Sequence, residues 1–123
     1  MPLINLQVSG SLSDAAKDAV AGKLGKLISL MPGRSEKYLM VGIQDGFTHY
    51  LAGQKLDRAA FMDLRLLGRE SEEGQEAFVV QAQAALAKLL DIPVENIYTN
   101  ILEMPHWGAR GIFETAREKG GCP

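Results

Sequence analysis

The sequence predicts an α/β chain of the α+β kind, in which two βαβ units in tandem form a four-stranded mixed sheet with two helices on one face. Three observations carry this. A strand-like, a helix-like and a strand-like stretch follow one another twice along 123 residues, a length that suits one domain with a real core. The two halves echo each other: Leu24-x-Lys26-Leu27 ahead of Pro32 and Tyr38 is matched by Leu86-x-Lys88-Leu89 ahead of Pro93 and Tyr98, as duplication of one unit would leave them. Each βαβ crossover is right-handed, and two helices suffice to cover one face of four strands.

The first strand runs from Leu3 to Val8 and ends at the turn residues Ser9-Gly10. Ser11, with Asp14 three residues on, marks a helix start, and Val20, Leu24, Leu27, Ile28 and Met31 follow at helical spacing, predicting a helix over 12–31. Gly22 and Gly25 each cost that helix about 1 kcal/mol relative to Ala, so packing holds it or something approaches closely. Pro32-Gly33 stops it. Tyr38, Leu39, Val41 and Ile43 predict a strand over 37–44, turned by Asp45-Gly46, with a short return strand over 47–51 and a loop over 53–57. In the stretch 59–67, Ala60, Met62, Leu64 and Leu66 fall on one face and Phe61, Asp63, Arg65 and Leu67 on the other. Ser71 with Glu72 and Glu73 opens a second helix, whose stripe is Phe78, Val79, Ala82, Leu86, Leu89 and Leu90. A fourth strand over 97–104 leads to a turn at 105–108, a short strand at Ile112-Phe113 and a loosely held tail over 114–123. Apolar residues on both strand faces leave the uncovered face in need of a partner, which predicts a homo-oligomer with sheets packed together.

Composition excludes several function classes. With 13 basic and 15 acidic residues, a formal net charge of −2 and no block of like charge, nucleic-acid and membrane-surface binding lack electrostatic support. The lone cysteine, Cys122, suits a reducing compartment and forms no internal disulfide framework. No signal-peptide pattern and no apolar run of membrane-spanning length are present, so the expected location is cytoplasmic. His49 and His106 lack metal-ligand spacing and read as surface or turn residues, and no metal or cofactor is expected. Glu70, Glu72 and Glu73 read as a helix start, and Asp63 with Arg65 as a structural pair.

Pro2 stands apart. Removal of the initiator Met1, which a residue as small as proline permits, would leave a free secondary amine. Burial beside apolar neighbours penalises its charged form and would poise it as a general base near neutral pH.

Four short matches then accumulate: Met1-Pro2 leading straight into a strand, Gly33-Arg34-x-x-x-Tyr38, Ala59-Ala60-Phe61-x-x-Leu64-x-x-x-Gly68, and Ile97-Tyr98-x-Asn100 after Ile92-Pro93. Through them the chain resembles the macrophage migration inhibitory factor (MIF) family of the tautomerase superfamily over residues 2–113. The resemblance implies a homotrimer with an active site at each subunit interface, and a cofactor-free keto–enol tautomerase of phenylpyruvate-like α-keto acids. Carried over residue by residue, it makes Pro2 the acid–base group and Arg34 the carboxylate anchor. Leu67 would offer a backbone N–H, Tyr38 and Trp107 would line the pocket, and Tyr98 and Asn100 would reach in from the neighbouring subunit. The resemblance also admits a cytokine-like protein-binding module with leaderless secretion and an unnamed protein partner, or a sister reaction at the same proline. Three departures matter. Arg34 stands where a lysine is usual, Ala59-Ala60-Phe61-Met62 stands where animal members carry a redox CxxC pair, and Ala109 replaces an aromatic.

Overall fold

The opening strand, β1 (Pro2–Ser9), becomes an inner strand of the sheet. Proline is tolerated there because it holds the first position, where its missing N–H interrupts no ladder. The computed structural model describes residues 1–116. The expected tail beyond them, with Cys122, lies outside the described residues.

From β1 the chain passes through α1 (Asp14–Leu27) to β2 (Met40–Phe47), which pairs parallel to β1. β5 (Ala60–Leu67), α2 (Glu72–Leu90) and β6 (Ile97–Met104) repeat the arrangement, with β5 and β6 parallel. The halves join where β1 runs antiparallel to β5, giving the sheet order β2-β1-β5-β6. Each half also ends in a hairpin: β3 (His49–Leu51) with β4 (Gln54–Leu56) after β2, and β7 (His106–Ala109) with β8 (Ile112–Thr115) after β6.

The core lies between sheet and helices. Ile4, Leu6 and Val8 of β1 and Met62, Leu64 and Leu66 of β5 point to the same side and are sealed by Val20 and Leu24 of α1 and Phe78, Ala82 and Leu86 of α2, the strand period of two meeting the helical period of 3.6. Both helices are capped by serines: Ser13 accepts from the Ala16 N–H at 3.0 Å and Ser71 from the Gly74 N–H at 3.0 Å.

Several expected boundaries shift. α1 starts at Ser13 rather than Ser11, and its last turn, Ile28–Leu30, tightens to a 3₁₀ form. Residues Glu36–Tyr38 form a 3₁₀ turn instead of the start of β2. Asp45-Gly46 does not turn the chain but lies within β2, at an irregularity in the pairing with β1. The supposed loop over 53–57 contains β4, and the supposed turn over 105–108 contains most of β7. Glu114 and Thr115 belong to β8 rather than to a tail. Leu89, assigned to the buried stripe, is 44% exposed because it sits beyond the arc that faces the sheet.

The open face of the sheet is not uniformly apolar. Asn5 lies level with Gly42 on one side and Asp63 on the other, and Asp63 with Asn100, so one row crossing all four strands is polar apart from its terminal glycine. Leu3, Met40, Phe61, Tyr98 and Leu102 flank it.

Two consequences for stability are testable. The Leu12 N–H donates to the Asp45 carboxylate at 2.7 Å, holding Asp45 below the usual carboxylate range, with Lys17 3.9 Å away as a lesser cause. A depressed folded pKa contributes stability above the unfolded value and loses it as pH falls through the folded one. Denaturant midpoints measured between about pH 5 and pH 3 therefore fall more steeply for the wild type than for Asp45→Asn. In α1, a side chain at Gly25 would run into the Glu36 carboxylate, whereas nothing lies within 4 Å of one at the exposed Gly22. Gly22→Ala should therefore stabilise the protein by about 1 kcal/mol, read as a rise in denaturant midpoint.

Candidate active site

At the start of β1 the molecule opens into a cavity of about 680 Å³. Pro2, itself buried, lies in it with Leu3 and Met1. Residues preceding and opening β2 supply Tyr38, Leu39 and Met40, and the β7–β8 hairpin supplies Trp107, Gly108, Ala109 and Arg110. The Leu67 N–H, at the end of β5, donates to the Met1 carbonyl oxygen at 3.1 Å. β5 therefore holds Met1 in place, and the neighbouring Gly68 N–H donates to the Met104 carbonyl at 2.9 Å.

The electrostatics of the cavity are one-sided. Lys37, Arg65 and Arg110 line it, and among the described residues no carboxylate does. Arg65 is committed to Asp63, with Nε 3.2 Å from Oδ2, the structural pair expected from the sequence. Lys37 and Arg110 instead flank the Tyr38 ring, with Nζ 5.4 Å and Cζ 5.1 Å from its centroid, within range of a cation–π attraction. The cavity thus offers apolar and aromatic walls, cations for an anion and a strand end carrying Pro2.

Arg34, expected as the carboxylate anchor, is not among the residues that line the cavity. Its side chain is fully buried, with Nε 3.2 Å from Glu70 Oε2 and Nη2 donating to the Arg69 carbonyl at 3.3 Å. A carboxylate brought beside it out of water captures the guanidinium. Glu70, assigned to a helix start, is its partner. Tyr38, Trp107 and Pro2 do come together in the cavity, and the Leu67 N–H faces Met1.

Tyr98 and Asn100 lie elsewhere in the chain. Pro2 is level with Leu66 and, across β5, with Glu103, so Tyr98 lies five residues earlier in β6, about 17 Å away at the strand rise. It is 61% exposed and borders a smaller hollow of about 330 Å³ at the start of β5, lined by Ala59, Ala60, Phe61, Asn96 and the β3–β4 hairpin. His49 belongs to this hollow and is half-buried rather than a surface residue. Its Nδ1 shares a 2.7 Å hydrogen bond with Ser9 Oγ.

Lys37, Arg65 and Arg110 are cavity residues that sequence reasoning did not assign to the site. For Arg110 the signal was Arg110-Gly111 between Ala109 and Ile112, a two-residue hairpin turn whose second member suits positive φ.

No protein-family model matches the chain, and no curated protein matches it either. Solved structures do. MIF2 of Leishmania major is similar with a TM-score of 0.86 and 24% identity, over 93% of this chain and 97% of that one. Pt0534 inactivated by 2-oxo-3-pentynoate is similar with a TM-score of 0.78 and 17% identity, over 89% and 93%. A fused 4-OT symmetric trimer is similar with a TM-score of 0.75 and 17% identity, over 83% and 86%. The chain has the fold shared by MIF and tautomerase-superfamily structures.

Proposed function

We propose that this protein is a cofactor-free keto–enol tautomerase of small planar α-keto acids such as phenylpyruvate, with the amine of Pro2, freed by loss of Met1, as its acid–base group. The observation that carries the reading is the position of Pro2: buried at the start of an inner strand, within a cavity lined by aromatic residues and cations and, among the described residues, by no carboxylate. Apolar neighbours disfavour the protonated amine, so the nitrogen is available to take a proton.

The step is a proton transfer in two halves. The Pro2 nitrogen removes a proton from the carbon next to the keto group, and the electron pair of that C–H bond becomes the carbon–carbon double bond of an enolate. The same proton, returned from nitrogen to oxygen, completes the enol, and the reverse sequence regenerates the ketone. A base within hydrogen-bond reach of its proton supplies the rate. The Leu67 N–H, which donates to the Met1 carbonyl at 3.1 Å, would donate to a substrate oxygen in its place once Met1 is removed. Pt0534, inactivated by a 2-oxo acid, offers a parallel in the same fold.

The assembly is a homotrimer in this reading, as in the fused 4-OT symmetric trimer. The open sheet face and the exposed Met40, Tyr98 and Phe113 would be covered by neighbouring copies. Tyr98 and Asn100, remote from Pro2 within one chain, would then complete the cavity of the next.

The test is the rate of phenylpyruvate enol–ketone interconversion by protein whose intact mass lacks Met1. An enhancement over buffer is expected, and a processed trimer with no enhancement would overturn the tautomerase reading.

A further inference from the structure

We infer that Arg110, at the tip of the β7–β8 hairpin, is the residue that selects a carboxylate for this cavity; the inference rests on the tautomerase reading for its substrate but not for its binding test. Of the cavity's cations, Arg65 is held by Asp63. Among the described residues, neither Arg110 nor Lys37 has an ion-pair partner, and both sit against the Tyr38 ring. Of these two, only arginine presents a planar fork that grips a carboxylate with two parallel hydrogen bonds.

The turn itself gives no reason for an arginine. Arg110 and Gly111 have φ of +53° and +80°, the positive pair of a type I′ hairpin, where Asn, Asp and Gly are favoured. The equivalent turn of the first half, between β3 and β4, has φ of +53° at Ala52 and +77° at Gly53. The same backbone is therefore built without a guanidinium beside the smaller hollow, whose lining among the described residues holds no lysine or arginine. At Arg110 the long side chain serves the cavity, and the hairpin that carries it also supplies Trp107, Gly108 and Ala109 to the walls. Arg34 lies outside the cavity, with its side chain buried against Glu70.

The test compares Arg110→Asn, whose new side chain suits the turn, with wild type in the processed, assembled protein. Calorimetric titration uses 3-phenylpropanoate and its neutral amide, neither of which tautomerises. The acid should bind about tenfold or more weakly to the variant, while amide affinity and the unfolding midpoint stay unchanged. For phenylpyruvate, KM should rise by a similar factor with kcat preserved. Equal weakening for acid and amide would mean that Arg110 only shapes the cavity, and no weakening would place the carboxylate on Lys37 or Arg65; either overturns the inference. Arg110-dependent acid binding by a wild-type protein that does not turn over phenylpyruvate would sustain the anchor while sinking the tautomerase reading.

Discussion

Processed protein carrying Pro2→Gly should interconvert the enol and ketone of phenylpyruvate at about one hundredth of the wild-type rate or less, the scale of a lost general base. Glycine is as good a substrate for removal of Met1, so the variant still starts with a free amine, but a primary one on a flexible residue. The cavity walls, from Tyr38, Trp107 and Arg110, are untouched. The loss should therefore fall on kcat, with KM little changed, as expected when an interaction made in the transition state is removed. Wild-type chain that retains Met1 should be equally inactive, because its Pro2 nitrogen is an amide and the Met1 carbonyl occupies the Leu67 N–H. Full rate in either protein would mean that the base lies elsewhere in the cavity.

The second large effect is on stability. Arg34→Leu should destabilise the fold by about 3–5 kcal/mol in denaturant unfolding, since it leaves a buried carboxylate without its partner. The Glu70 side chain is only 7% exposed and ties the loop after α1 to the start of α2. Adding Glu70→Leu should recover stability relative to the single variant, because replacing both members of a buried pair removes the stranded charge. The folded Arg34→Leu protein should keep its KM for phenylpyruvate. A raised KM with unchanged stability would return Arg34 to the role of anchor.

Arg34 also shows what a linear sequence hides. Its neighbours in the chain match a family pattern, but its partner is 36 residues away, and whether a cation is captured by a carboxylate or left for a ligand depends on that distant contact. Local signals fared better. The alternation from Ala60 to Leu66 identified the buried face of β5 because a period of two leaves no other solution, and β6 appeared with its bounds intact. The β3–β4 hairpin was obscured because Gln54 and Lys55 are exposed on both faces and carry no periodic signal. The helix starts at Ser13 rather than at the expected Ser11 because the Ser13 oxygen reaches the Ala16 N–H. Pro2 was legible as a candidate base from the sequence itself, but its grouping with Tyr38 and Trp107 came only through the resemblance, whereas Lys37 and Arg110 come together on Tyr38 only once the hairpin folds over the 3₁₀ turn.

The repetition of the two halves reaches further than the sheet. Each parallel strand pair opens at its start into a hollow roofed by the hairpin of the other half: Pro2 and Met40 beneath β7–β8, Ala60 and Tyr98 beneath β3–β4. The architecture is thus nearly twofold, but a polypeptide has only one amino end. Ala60 is joined to Ala59 by an ordinary peptide bond, so the nitrogen that would correspond to the proposed Pro2 amine carries no basic lone pair. Connectivity breaks the symmetry together with side chains such as Arg110 opposite Ala52, and in the proposed trimer only three of the six hollows would carry the proposed amine.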